Sequence, residues 1–277
     1  MISSTANSRV KRIVLLREKS RERTAANVFI IEGIKMFEEA PAGKIKEVYY
    51  IEEKLFGQDG QVPNDRFPGL QEKIQACARA GAVVETVTEE VFLKMSDTKS
   101  PQGILCVMEQ LSYDVEELVE RALAGKKEGH SPLFLLLEDI QDPGNLGTMI
   151  RTAEGAGADG IFMTNGTVDI YNPKTIRATM GSLYRVPFVR VQDLSKVTAL
   201  LQKNGITVYA AHLKGEQYYH EADYSTGSAF LIGNEGNGLK KETADLADCY
   251  LKIPMEGKLE SLNAAIAAAL LMYQSRQ

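Results

Sequence analysis

The chain has 277 residues, 44% hydrophobic and 25% charged, which is the composition of an ordinary globular protein rather than a fibrous or low-complexity one. That length favours two domains, each able to bury a core of its own, and no apolar run approaches the roughly 18 residues of a membrane span. Three scattered cysteines without a CxxC pair argue against a disulfide framework or a cysteine zinc site, and a net charge of −5 excludes a globally basic nucleic-acid binder.

The N-terminal stretch MISSTANSRVKRIV lacks the apolar h-region of a secretion signal and reads as the start of a basic helix over 7–20, so a cytoplasmic protein is expected. Residues 1–25 carry Arg9, Lys11, Arg12, Arg17, Lys19, Arg21 and Arg23 against Glu18 and Glu22, a local charge of +5. Charge alone leaves two readings open, an RNA contact or a solvated helix face. The strand VFIIEG follows, then a helix (IKMFEEA) and the strand KEVYYI. Turn residues dominate FGQDGQVPNDRFPG, which reads as a loop. A helix over 69–80, the strand AVVETV, the helix TEEVFLKMSD and the buried strand GILCVME complete an α/β domain over 1–109. Residues 110–131 are more polar and read as a connector, a short helix followed by a Gly/Lys-rich loop.

From 132 onward strands and helices alternate. PLFLLLEDI has the continuous apolar character of a central parallel strand. GIFMT, PFVRV, ITVYAA, AFLIG and CYLKIP follow, with helices near 145–156, 173–180, 193–204, 238–246 and 261–275. This alternation predicts a parallel sheet covered on both faces, with any ligand at the carboxyl ends of its strands. His130, His212 and His220 show no metal-ligand spacing, and no metal is expected.

GAGADG (Gly155, Gly157, Gly160) matches the dinucleotide pattern GxGxxG, but a helix precedes it and a strand follows, the reverse of what that fingerprint requires. These glycines read as a helix C-cap and turn, and a nucleotide-binding oxidoreductase is set aside.

Three segments that directly follow strands remain. In EDIQDPGNLGTMIRTA a helix is expected to begin near Asn145, with Gly147 and Arg151 on one face and open surface one turn before the arginine. In FLIGNEGNGL three glycines after a buried strand permit close main-chain approach of a ligand, and Glu235 is the only charge in that loop. In LKIPMEGKLESLNAAIAAALLMY a strand ends at Ile253-Pro254-Met255, and Ser261 is read as the cap of an alanine-rich last helix.

Together these segments resemble the three motifs of the SpoU (TrmH-like) branch of the SPOUT methyltransferases: an NxGxxxR segment, a GxExxG loop and an IPM…SLN stretch, in order over 138–273. The resemblance implies an α/β fold with a trefoil-knotted parallel-sheet catalytic domain over 132–277. It implies a homodimer with the site at the dimer interface, and S-adenosylmethionine as cofactor. By the same resemblance Gly233, Ile253, Leu262, Met255 and Ala210 contact the cofactor. Arg151, Asn145, Glu235, Ser261 and Asn263 form the catalytic pocket. Residues from TANSRVKRIVLLREK to SPQGIL are similar to the substrate-binding domain attached to many SpoU enzymes, of the kink-turn-binding ribosomal-protein type. On that reading Arg9, Lys11 and Arg12, with Arg151, meet RNA. The implied activity is methylation of a ribose 2'-hydroxyl in structured RNA, with 23S ribosomal RNA favoured by the extra N-terminal domain and transfer RNA as the alternative substrate. A non-catalytic ribosome-associated RNA-binding protein is the competing class, and intact GNEGNG and IPM…SLN segments weigh against it.

Overall fold

The structure is a computed structural model in which residues 1–57, 69–126, 130–212, 215 and 217–277 are described. Two compact units divide the chain: Met1–Leu111 with Tyr171–Tyr184, and Ser112–Ile170 with Arg185–Gln277.

In the first unit the elements are α1 (Ser8–Glu18), α2 (Ser20–Ala26), β1 (Val28–Glu32), α3 (Ile34–Glu39), β2 (Ile45–Tyr50), α4 (Glu52–Phe56), α5 (Leu70–Arg79), β3 (Val83–Thr86), α6 (Glu89–Met95) and β4 (Ile104–Glu109). The sheet runs β1-β4-β2-β3, with β4 antiparallel to both neighbours and β2 parallel to β3. Val10, Ile13 and Leu16 recur three residues apart, so α1 buries one stripe, against β1 and α6. They join Ile30, Tyr49, Phe92, Leu105 and Val107 in one cluster. The basic helix expected over 7–20 is interrupted at Lys19, whose extended backbone separates α1 from α2. Helix α4 stands just before the turn-rich stretch, of which residues 58–68 lie outside the described residues.

The second unit contains α7 (Val115–Lys126), β5 (Leu133–Leu137), α8 (Pro143–Gly155) and β6 (Gly160–Thr164). Next in the chain, α9 (Pro173–Thr179) groups with the first unit, where Tyr171 stacks on Phe29 at 4.5 Å. The second unit resumes with β7 (Phe188–Val191), α10 (Ser195–Lys203), β8 (Thr207–Ala211), β9 (Gln217–Tyr218), β10 (Ser228–Ile232), α11 (Lys241–Ala244), β11 (Cys249–Lys252) and α12 (Ala264–Gln274). All seven strands are parallel, in the order β7-β6-β5-β10-β8-β11-β9. Both faces are covered, as the apolar runs required: every residue of β5, β6 and β10 is buried.

Residues 110–131, read as a connector, hold α7, and its Leu118, Val119 and Ala122 are buried in this unit's core with Val197 and Leu201 of α10. Residues 127–129 of the expected loop lie outside the described residues. The GAGADG segment is the C-terminal end of α8 and its turn into β6. Gly157 takes φ +66°, and the N–H groups of Gly157 and Ala158 return to Glu154 and Ala153. Among the described residues no helix is long and apolar enough to cross a membrane.

Leu136 is fully buried in β5, paired with Phe162 of β6 and Leu231 of β10. Leu136→Ala should therefore cost about 2–5 kcal/mol, measured as a lower urea midpoint with the circular dichroism spectrum retained.

Candidate active site

The chain lays down β5, β6 and β7 toward one edge, then crosses back so that β10 enters between β5 and β8. The carboxyl ends of β5, β10, β8 and β11 consequently lie side by side, where an open parallel sheet binds ligands. All three motif segments leave from these ends.

The first leaves β5. Helix α8 starts at Pro143, two residues earlier than expected, because Asp142 is the cap: its Oδ1 accepts the Asn145 N–H at 2.8 Å. Proline at the first helical position loses no hydrogen bond there. Asn145 is thereby freed from capping, and its side chain turns outward to bond elsewhere. Gly147 is buried, so the open surface expected one turn before Arg151 is absent.

Asn145 joins the three motifs. Its Nδ2 donates to Glu235 Oε1 at 3.0 Å, and its Oδ1 accepts from Asn263 Nδ2 at 2.9 Å. Glu235 also accepts the N–H of Asp142 at 3.0 Å and of Gln141 at 2.9 Å, so its carboxylate sits at the entrance of α8, where a negative charge is favoured. Burial opposes that charge. The hydrogen bonds from Asn145, Gln141 and Asp142 outweigh it and hold Glu235 below the ordinary glutamate range.

The second motif organises itself. Asn234 Oδ1 accepts the N–H groups of Gly236 and Asn237, Asn234 Nδ2 donates to the Asp139 carbonyl, and Gly238 N–H returns to the Asn234 carbonyl. A β-carbon at Gly233 would lie 2.2 Å from both Gly238 C and Leu239 N, so the missing side chain is required by the loop's own return. Four residues not singled out from the sequence fasten this loop. Glu138, 4% exposed, accepts the Lys240 N–H at 2.8 Å and the Thr243 hydroxyl at 2.5 Å. Lys240 Nζ pairs with Asp139 at 2.8 Å, and that bond, with one from Thr164, lowers the Asp139 pKa. Nothing in sequence spacing couples positions a hundred residues apart. The only local sign was an acidic pair ending the strongest strand.

In the third motif Asn263, not Ser261, caps α12, accepting the N–H groups of Ala265 at 2.8 Å and Ile266 at 3.3 Å. Ser261 is exposed and makes no hydrogen bond among the described residues. Ile253, Met255 and Leu262 are half-buried, and Gly233 and Ile253 follow neighbouring strand ends across β8. Ala210 is fully buried, paired with Leu231 and Tyr250, so its methyl belongs to the core, and β8 ends at the half-buried Ala211.

Arg151 is exposed on α8, and among the described residues no acceptor holds its guanidinium. The basic arm of the first unit differs. Arg9 pairs with Glu85 at 2.7 Å, Arg12 with Glu47, and Arg17 donates to the Lys94 and Ser96 carbonyls at the end of α6. Arg23 is buried, donating to the carbonyls of Leu16 and Arg17. Lys11 remains exposed without a partner among the described residues.

A doubly covered parallel sheet whose β5, β10 and β11 ends converge on an Asn–Glu–Asn relay, with Arg151 further along the same helix, defines the class, a SpoU-type methylase domain. Residues 132–273 match the SpoU rRNA Methylase family and residues 7–106 the MRM3-like substrate binding domain, and the chain belongs to the SpoU rRNA methylase family. It is 34% identical to the 23S rRNA (guanosine(2553)-2'-O)-methyltransferase RlmP of Bacillus subtilis (strain 168), over 99% of this chain and 98% of that protein. A crystal structure of an rRNA methyltransferase from Sinorhizobium meliloti superposes with a TM-score of 0.83 at 30% identity, covering 99% of this chain and 96% of that one. The AdoMet-bound form of the Sinorhizobium enzyme superposes at 0.82.

Because the Glu235 pKa is lowered on folding, its contribution is complete above the ordinary glutamate value of about 4.3 and vanishes as pH falls through the lower folded value. Protection of the Gln141 and Asp142 amides, read as the intrinsic over the observed exchange rate at each pH, should accordingly fall on acidification through that window. In Glu235→Gln that protection should already be reduced at neutral pH, with no such step.

Proposed function

We propose that this protein transfers the methyl group of S-adenosylmethionine to a ribose 2'-hydroxyl of 23S ribosomal RNA. The observation that carries the proposal is the Asn263–Asn145–Glu235 relay, which brings the three motif segments to one place with the unpaired Arg151 on the same helix. Similarity over nearly the whole chain to a 23S rRNA 2'-O-methyltransferase supports the ribosomal substrate.

The residues present fit the cofactor on one further observation. From Pro254 to Leu262 no main-chain group makes a hydrogen bond among the described residues, so the loop offers free N–H and C=O groups between apolar side chains. A purine edge and an amino-acid end need such donors and acceptors, and Ile253, Met255 and Leu262 supply apolar walls. The main chain after Gly233 and at Ala211 closes the neighbouring strand ends. When bound, the sulfonium supplies an activated methyl with its own leaving group. What the protein must add is alignment, and stabilisation of the oxygen as it loses its proton.

Arg151 fits that second task. A guanidinium stays protonated in proteins, so it acts here as a donor: it holds the phosphate next to the target ribose and stabilises the developing alkoxide. Asn145 and Asn263 orient the pocket, and Glu235 anchors Asn145 rather than taking the proton, because its oxygens already accept three donors. In the first unit Lys11 is an exposed phosphate contact. Arg9 and Arg12 join it by exchanging solvent-exposed ion pairs, worth roughly 0–1 kcal/mol, for phosphate. The proposal includes a cytoplasmic homodimer with the knotted chain path of the family. Ile266 and Tyr273, 50% and 51% exposed and two turns apart on α12, give such a dimer an apolar stripe to cover.

Arg151→Ala should lower methyl transfer to an unmodified 23S rRNA transcript about 100- to 1000-fold, with S-adenosylmethionine affinity by calorimetry unchanged; normal turnover would remove Arg151 from the mechanism. Ile266→Glu should shift the protein from dimer to monomer in sedimentation.

A further inference from the structure

At the far edge of the same sheet lies a row of rings that the methyl-transfer site does not use. Strand β9 is the edge strand, parallel to β11, with Tyr218 opposite Lys252. Paired residues share a face, and the Lys252 ammonium comes 6.0 Å from the Tyr218 ring centroid. His220 lies parallel to Tyr218, centroids 5.6 Å apart and planes 11° apart. Two residues back along β11, Tyr250 meets His212 at 4.9 Å.

The backbone that carries these rings is anchored, and the rings of Tyr218 and His220 stay exposed. Tyr219 N–H bonds the Lys252 carbonyl at 3.1 Å, and Glu221 N–H bonds the Tyr218 carbonyl at 3.0 Å, which closes the turn after β9. Tyr219 meets the His220 ring edge-on at 5.4 Å. The Tyr224 hydroxyl donates to the Tyr219 carbonyl, and its ring packs on Tyr209 and Phe230 of the core. Tyr218 nevertheless stays 39% exposed, and His220 is exposed beside it. The nearby acid, Glu221, turns a carboxylate oxygen back to the Tyr218 N–H at 3.3 Å, while the Lys252 ammonium lies by the Tyr218 ring.

A parallel pair of exposed rings with a flanking cation is the chemistry that holds unpaired nucleobases. Strand β11 continues directly from Lys252 into Ile253, where the cofactor loop begins. We propose that Tyr218 and His220 form a stacking platform for an unpaired base of the substrate RNA, with Lys252 taking a neighbouring phosphate; this rests on the RNA-methyltransferase reading above. Stacking on a ring face discriminates little among bases, so the platform selects single-stranded RNA from duplex and leaves sequence choice to other contacts.

The chain has no tryptophan, so Tyr218→Trp places a single reporter on the platform. Its emission should be quenched by a single-stranded 12-nucleotide RNA and not by the same sequence as duplex. Tyr218→Ala and His220→Ala should weaken binding of an unmodified 23S rRNA transcript about 5- to 150-fold, raising KM with kcat and cofactor affinity unchanged. Tyr218→Phe, which keeps the ring, should restore binding, and Lys252→Ala should reduce the salt slope by about one. An unquenched reporter, or unaltered RNA affinity in Tyr218→Ala, would overturn the platform. So would a change of oligomeric state at constant RNA affinity, which would assign this edge to a second copy. If the reporter is quenched but the wild type methylates no RNA, the platform stands and the methyltransferase reading fails.

Discussion

The side-chain amide of Asn145 donates to Glu235 and accepts from Asn263, partners 90 and 118 residues away in the chain. An amide is suited to this, having one donor end and one acceptor end. Glu235 offers only acceptors at neutral pH, and the Asn263 oxygen is committed to the first turn of α12, so its NH2 is the end left to donate. Aspartate at 145 would face Glu235 with a like charge, and alanine would remove the side-chain link from Asn263 to this pair, leaving Glu235 with only the Gln141 and Asp142 N–H groups. This one group ties α8, the GNEGNG loop and the start of α12 together through side chains.

That link is possible because β10 is inserted between β5 and β8. The insertion sets the end of β5 against the end of β10, where Glu138 N–H bonds the Ile232 carbonyl and the Glu138 side chain bonds the far limb of the loop at Lys240 and Thr243. A buried carboxylate with both oxygens engaged is costly to disturb, since a donor left without it stays unsatisfied. The loop is therefore clamped at both limbs, by Glu235 on α8 and by Glu138 on β5. Pro254–Leu262, by contrast, has no main-chain hydrogen bond among the described residues.

Formal charge overstated the first unit as a phosphate surface. Of its seven basic side chains within 1–25, Arg17 and Arg23 serve as donors to carbonyls, closing the end of α6 and the α1–α2 junction. Arg9 and Arg12 are matched by glutamates on β3 and β2. Counting charges along a sequence does not reveal which of them meet acids brought near by a sheet.

Much of the fold was legible in the sequence. The unbroken apolar runs at Leu133–Leu137 and Ser228–Ile232 could be satisfied only by strands covered on both faces, and their alternation with helical periods implied a parallel sheet. The segments that carry Asn145, Glu235 and Asn263 were also legible, through their resemblance, and the structure brings those three side chains together. Local competition decided what the sequence left open. Asp142 rather than Asn145 caps α8, Asn263 rather than Ser261 caps α12, and α7 belongs to a core rather than to a connector. In each case more than one polar residue stood near the helix start, or a helix was amphipathic without a visible partner, and propensity does not rank such alternatives. The partners of Glu138, the steric reason for Gly233 and the ring row at the β9 edge exist only once strands distant in sequence are neighbours. Strand order is set by long-range burial, so the sequence alone determined which elements form and which residues carry the motifs, and the tertiary structure alone decided which of those residues touch.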